Sequence, residues 1–142
     1  MEFSDVCKII FGALLGAGLT ILIDWLRIHR EKTLLTKMLK VEISVFVKNI
    51  SPWIKKDVNL FSETELPSLT PLPMASYGAL PLSISAKVMN THWAIKQAND
   101  LRILAINARN NGNDTQCNMF ATLSKDWLVK SNQMANELTE NL

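Results

Sequence analysis

The chain has 142 residues, 48% of them apolar and 20% charged, with a formal net charge of +2. That length holds one domain, since a second independent core would need about 100 more residues, and the composition excludes collagen, simple disorder and a multi-span transporter. So small a charge excludes a general nucleic-acid coat, and two cysteines, Cys7 and Cys117, cannot build a disulfide framework and read as reduced thiols.

The first element is apolar. Residues 9–23, IIFGALLGAGLTILI, contain no charge; at roughly 1.5 Å per residue they cover about 22 Å of a hydrocarbon layer about 30 Å thick. Extension to residues 6–28 admits only Lys8, Asp24 and Arg27 as charged groups. Lys8 and Arg27 lie near the ends, where long side chains snorkel to the headgroups, and Trp25 stands where an interfacial aromatic belongs. A core helix of a soluble protein would show a polar stripe here. A cleaved secretory signal would open on a basic segment and end at a small-x-small site, whereas this one opens MEFSDVCK and is followed by DWLRIHREK. The sequence thus predicts an uncleaved transmembrane helix over residues 1–28, with residues 29–142 outside the membrane.

Charge sets the orientation. One basic residue, Lys8, precedes the span; Arg27, Arg30, Lys32, Lys37 and Lys40 follow it closely. The positive-inside rule then places the N-terminus outside and the mass of the chain in the cytoplasm, where the same cluster reads as a contact for anionic headgroups. Within the span, Gly12 and Gly16 form a GxxxG, and Ala13 and Ala17 repeat the small-xxx-small spacing one residue on. Small residues four apart let helix backbones approach closely, so these four are the candidate self-association residues. Asp24, with Arg27, is the candidate lining of a pore or vestibule at the cytoplasmic edge.

Beyond the span, helical periodicity runs on from 27 to 50. Leu35, Leu39, Phe46, Ile50 and Trp53 recur at three- and four-residue steps, Leu34, Met38 and Val45 widen the stripe, and Glu42 and Asn49 fall on it as polar groups expected to bond a neighbouring helix. No Gly or Pro interrupts residues 19–51, so span and cytoplasmic helix read as one rod ending at Ser51-Pro52. Residues 55–82 lose the period. A short helical turn fits residues 57–61, and a Pro-rich connector over 62–82 follows, packed on the bundle through Tyr77, Leu80 and Leu82.

A second helix is expected over 83–110, capped by Ser83 or Ser85, with Ile84, Val88, Ile95 and Ala98 on one face and Leu101, Leu104, Ala105 and Ala108 continuing it. Asn110-Asn111-Gly112-Asn113 signals a turn. A third helix follows over 114–140, capped by Asp114, with Phe120, Leu123, Trp127, Met134 and Leu138 as its stripe. The fold class expected is all-α: an N-terminal transmembrane helix continuing into a small cytoplasmic antiparallel helical bundle.

Catalytic chemistry is sparse. His29 and His92 have no second ligand at metal spacing, Cys7 and Cys117 have no local histidine, and no phosphate loop is present. Arg102 and Arg109 with Asn107 and Asn110 make a basic end to the second helix, which reads as a solvated terminus suited to the helix dipole. A nuclease there is the rival reading, but no histidine follows either arginine at the spacing of helical nucleases. No enzyme, cofactor, metal or specific nucleic acid is expected; the expected partners are membrane lipids, further copies of the chain and a cytoplasmic protein.

The layout, with Leu39-Lys40-Val41-Glu42-Ile43 as an L-x-x-E-I motif on a basic helix, loosely resembles a group of small bacterial and phage single-span membrane proteins with a helical cytoplasmic domain. Phe46 stands where that group often has Asn. There is a fainter likeness to CRISPR-associated membrane pore proteins, whose Arg-to-His motif is missing. These resemblances imply a bacterial inner-membrane location and a role in phage defence or superinfection exclusion. The expected function is a self-associating, membrane-perturbing or pore-like protein; the alternative is an anchor that recruits a soluble partner through its bundle.

Overall fold

The computed structural model describes residues 3–55, 59–62, 64–69, 78 and 80–142, with side chains in the first helix from residue 10 onward. Among the described residues it is all-helical, in three elements: α1 (Phe3–Ile54), α2 (Leu82–Asn110) and α3 (Asp114–Glu140).

With no breaker between 19 and 51, α1 forms one unbroken rod of 52 residues, about 78 Å long. It passes the expected stop, and Pro52 lies inside its last turn. A proline there removes one helical N–H and crowds the carbonyl a turn earlier. Only two residues follow, however, and the Lys55 amide still donates to the Ser51 carbonyl at 3.0 Å. Trp53 is buried in the core, and that burial offsets the lost bond.

One face of α1 enters the bundle: Leu39, Ile43, Phe46, Ile50 and Trp53 are buried and Leu35 packs at their edge. The core stripe is narrower than expected. Leu34, Met38 and Val45 are exposed, Asn49 is exposed, and Glu42 is half-buried at the margin. Centring the stripe on Ile43 and Ile50 turns these residues past its edges.

The described part of the connector runs back along α2. Leu60, Leu66, Leu69 and Leu80 are buried against the helices, while Leu82 is exposed rather than packed. Residues 57 and 58 of the expected helical turn, and Tyr77, lie outside the described residues. Residues 59–62 form a single turn, closed by the Ser62 amide on the Asn59 carbonyl at 2.9 Å.

The serine caps expected for α2 are not used. Pro81 is the N-cap, with no side-chain cap bond, because extended backbone at its ψ of 140° leads straight into the helix. Ser85 is buried one turn in and donates its hydroxyl to the Pro81 carbonyl at 3.3 Å. At the other end, Gly112 at φ 72° takes the left-handed position. Its amide bonds the Arg109 carbonyl at 3.0 Å and the Asn113 amide bonds Ala108 at 2.9 Å, a Schellman closure. Asn113, not Asp114, then caps α3, its side-chain oxygen accepting from the Gln116 amide at 3.0 Å. Asp114 sits in the first turn, where its charge suits the dipole.

The antiparallel α2–α3 contact is built from small residues. Ala94, Ala98, Ala105 and Ala108 are buried on α2, and Cys117, Ser124, Leu128, Ser131, Ala135 and Leu138 on α3. The expected α3 stripe is therefore displaced by about one residue over most of its length: Leu138 is buried as expected, but Phe120, Trp127 and Met134 are half-buried and Leu123 is exposed. Ser124 donates to the Ala98 carbonyl across the contact at 2.7 Å. α1 packs chiefly against α3.

Candidate membrane-associated site

α1 carries the described stretch that is long and apolar enough to cross a membrane, with a mean hydropathy of 1.6 over a window none of which is buried. Every residue from 10 to 34 is exposed. Ile10, Phe11, Leu14, Leu15, Leu19 and Ile21–Ile23 thus present bare apolar surface far beyond that of an ordinary soluble monomer.

Gly12, Ala13, Gly16 and Ala17 lie on this exposed helix. A Cβ added at Gly12, Gly16 or Gly18 would meet nothing within 4 Å. No packing inside the chain calls for glycine there, although each one costs a helix in water about 1 kcal/mol relative to alanine. Below them, Thr20 returns its hydroxyl to the Gly16 carbonyl at 2.9 Å, which satisfies a polar group inside an apolar segment.

At the C-terminal edge of the apolar stretch, Trp25 stacks on His29 with ring centres 5.5 Å apart and planes 12° from parallel. Arg27 turns along its own helix to Glu31 at 3.2 Å, an exposed pair of small energetic weight. Asp24 is exposed and has no hydrogen bond or ion pair among the described residues. The structure therefore does not join Asp24 to Arg27 within one chain. Arg30, Lys32, Lys37 and Lys40 are all exposed on α1, so the basic cluster lies open to its surroundings just after the apolar segment.

The second polar centre escaped the sequence. Arg102, expected to be solvated, is 6% exposed. Its Nε donates to the Leu60 carbonyl at 2.8 Å, its Nη2 donates to the Ser62 and Thr64 carbonyls, the latter at 2.9 Å, and its guanidinium lies over the Trp53 ring. Arg109 remains exposed, yet its guanidinium covers the Phe61 ring at 4.9 Å. His92 bonds the Leu69 carbonyl through Nδ1 at 3.1 Å; a carbonyl only accepts, so Nδ1 carries the proton. These side chains tie the connector to α2, and Arg102 and His92 line an open cleft of about 690 Å³ with Glu65, Lys96 and Asn99. Among the described residues, no three His, Cys, Asp or Glu side chains gather as a metal site.

No family model matches the chain, and no curated protein or solved structure matches it.

Proposed function

We infer that the chain is a single-pass protein of a bacterial inner membrane that self-associates through the Gly12–Gly16 face of α1. The product is a membrane-perturbing or pore-like oligomer with no enzymatic chemistry of its own. One observation carries this reading: three glycines sit in a long exposed apolar helix where nothing in the chain packs on them. Close approach of another helix gives them a use. The excess of basic residues after the span supports an outer N-terminus and a cytoplasmic bundle. Asp24 and Arg27 then lie at the cytoplasmic mouth of the assembly, and phage defence or superinfection exclusion is the setting implied by the resemblance. The test is Gly12→Leu combined with Gly16→Leu in the full chain. The detergent-solubilised particle should fall to a monomer and the membrane phenotype should vanish; an unchanged particle refutes the mechanism.

A second reading, an adaptor for a soluble partner, draws on the bundle surface. Met89 and Trp93 are exposed on α2 and Leu123 on α3, and Trp93 meets Trp127 edge-on with centroids 5.0 Å apart. Exchange of residues 9–23 for an unrelated apolar helix preserves function under this reading and destroys it under the first.

A further inference from the structure

α1 has two apolar faces below the span, and the bundle covers only one. Leu34, Met38, Val41 and Val45 are 58%, 55%, 65% and 51% exposed. Their spacing of four, three and four residues is that of a heptad seam. It lies roughly a third of the way round the helix from Leu39, Ile43, Phe46 and Ile50, which are buried.

We propose that this second face is where a second copy of the chain pairs, side by side and in parallel, so that the contact made by the spans continues about 35 residues down α1 from Gly12. The proposal rests on self-association through the span and names the surface that extends it. Register supports it. Eighteen residues make about five helical turns, and Gly16 and Leu34, Thr20 and Met38, Ile23 and Val41, and Arg27 and Val45 are each 18 apart. The exposed seam is thus in line with the glycine face. If the helices supercoil at about 3.5 residues per turn, the same seam traced upward meets Ala17 and Ala13 instead. Either winding brings small residues to the contact inside the membrane.

Charge selects the parallel arrangement. Lys37 and Glu42 flank the seam on opposite sides, five residues apart, the spacing at which flanking groups of adjacent parallel helices meet across a coiled coil. Lys37 of each copy therefore faces Glu42 of the other. Two copies inserted the same way hold their seams at one depth beneath the bilayer, already parallel. Four apolar residues per copy fall short of the roughly 1,200 Å² a stable interface needs in water. Anchoring in one membrane raises the effective concentration and removes that requirement.

The test uses the full chain in membranes, with Cys7→Ala and Cys117→Ala as background and one cysteine introduced at a time. Under oxidation, Met38→Cys and Val41→Cys should give disulfide-linked dimers, exceeding Thr33→Cys and Lys40→Cys by roughly tenfold. The latter two are exposed but turned off the seam, outside the Cα separation of about 7 Å a disulfide can bridge. Equal yields at all four positions, or none at Val41 while the particle stays oligomeric and dependent on Gly12 and Gly16, overturn the seam and leave the span contact standing. A Val41 cross-link that persists in a particle indifferent to Gly12→Leu and Gly16→Leu supports the seam and removes the span contact. As a check on register, Lys37→Glu should lower the Val41 yield severalfold and Glu42→Lys in the same chain should restore it; absence of rescue overturns the parallel pairing.

Discussion

The guanidinium of Arg102 stands 5.7 Å over the centre of the Trp53 ring, and so joins the end of α1 to the second half of α2. Its donors go to the carbonyls of Leu60, Ser62 and Thr64. One buried side chain thereby fixes the turn by which the chain leaves the rod and starts back along the bundle.

Removal of Arg102 leaves those carbonyls without their donor. An unsatisfied buried polar group costs about 1–3 kcal/mol, so Arg102→Ala should destabilise the bundle by about 3 kcal/mol. Arg102→Lys should recover little, since an ammonium cannot reproduce the planar fork. Chemical unfolding in detergent, followed through tryptophan fluorescence, measures this; a loss below about 1 kcal/mol would count against the arginine as the tie.

The displaced stripe of α3 gives a paired prediction. Leu128 is fully buried while Leu123 is 41% exposed. Leu128→Ala should cost about 2–5 kcal/mol through the cavity it leaves, and Leu123→Ala no more than about 0.5 kcal/mol in a monomeric bundle. Equal costs would mean that the helix is rotated from the orientation described.

These two cases mark what could be read from residues alone. The α2–α3 turn was legible because Asn-Asn-Gly-Asn has few other uses, and the unbroken rod was legible because nothing between 19 and 51 stops a helix. The face of α3 was not, because Leu123 and Trp127 draw the eye while the real contact uses Ser124, Ser131 and Ala135, whose value lies in letting backbones approach. On α1 a single periodicity merged two faces, since Leu34 and Met38 stand one residue from Leu35 and Leu39. Arg102 was invisible for another reason: its partners are backbone carbonyls distant in sequence, and these carry no residue signature. The glycine pair was legible as a motif, and the structure adds that nothing in the chain fills the space beside it.

The hairpin turn offers a test of backbone conformation. Gly112 adopts φ 72°, which costs a side-chain-bearing residue about 1–2 kcal/mol. Gly112→Ala should destabilise by about 1 kcal/mol, and Asn113→Ala by a similar amount through loss of the cap on Gln116. Gly112→Asn should be the mildest change, because Asn tolerates the left-handed region. Thermal unfolding of the three variants ranks them, and an Ala variant as stable as the parent would rule out the Schellman closure.

Orientation in the membrane is the prediction with the longest reach, because it decides which side the bundle faces. The rule depends on Lys and Arg close to the span and barely on acidic groups, so Arg27, Arg30 and Lys32 should govern it with Lys8 opposing. The Arg27–Glu31 pair is exposed and its loss costs the fold little, which makes these residues suitable to exchange. Arg27→Asn, Arg30→Asn and Lys32→Asn, combined with Glu2→Lys and Asp5→Lys, reverses the balance of basic residues across the span. In the parent chain a C-terminal reporter active only in the cytoplasm should be bright and one active only outside should be silent; in the variant a substantial fraction of chains should show the opposite pattern. If the parent already places its C-terminus outside, the Asp24 carboxylate and the exposed seam from Leu34 to Val45 face the exterior, and a cytoplasmic pore mouth has to be abandoned even though the helix still crosses the bilayer.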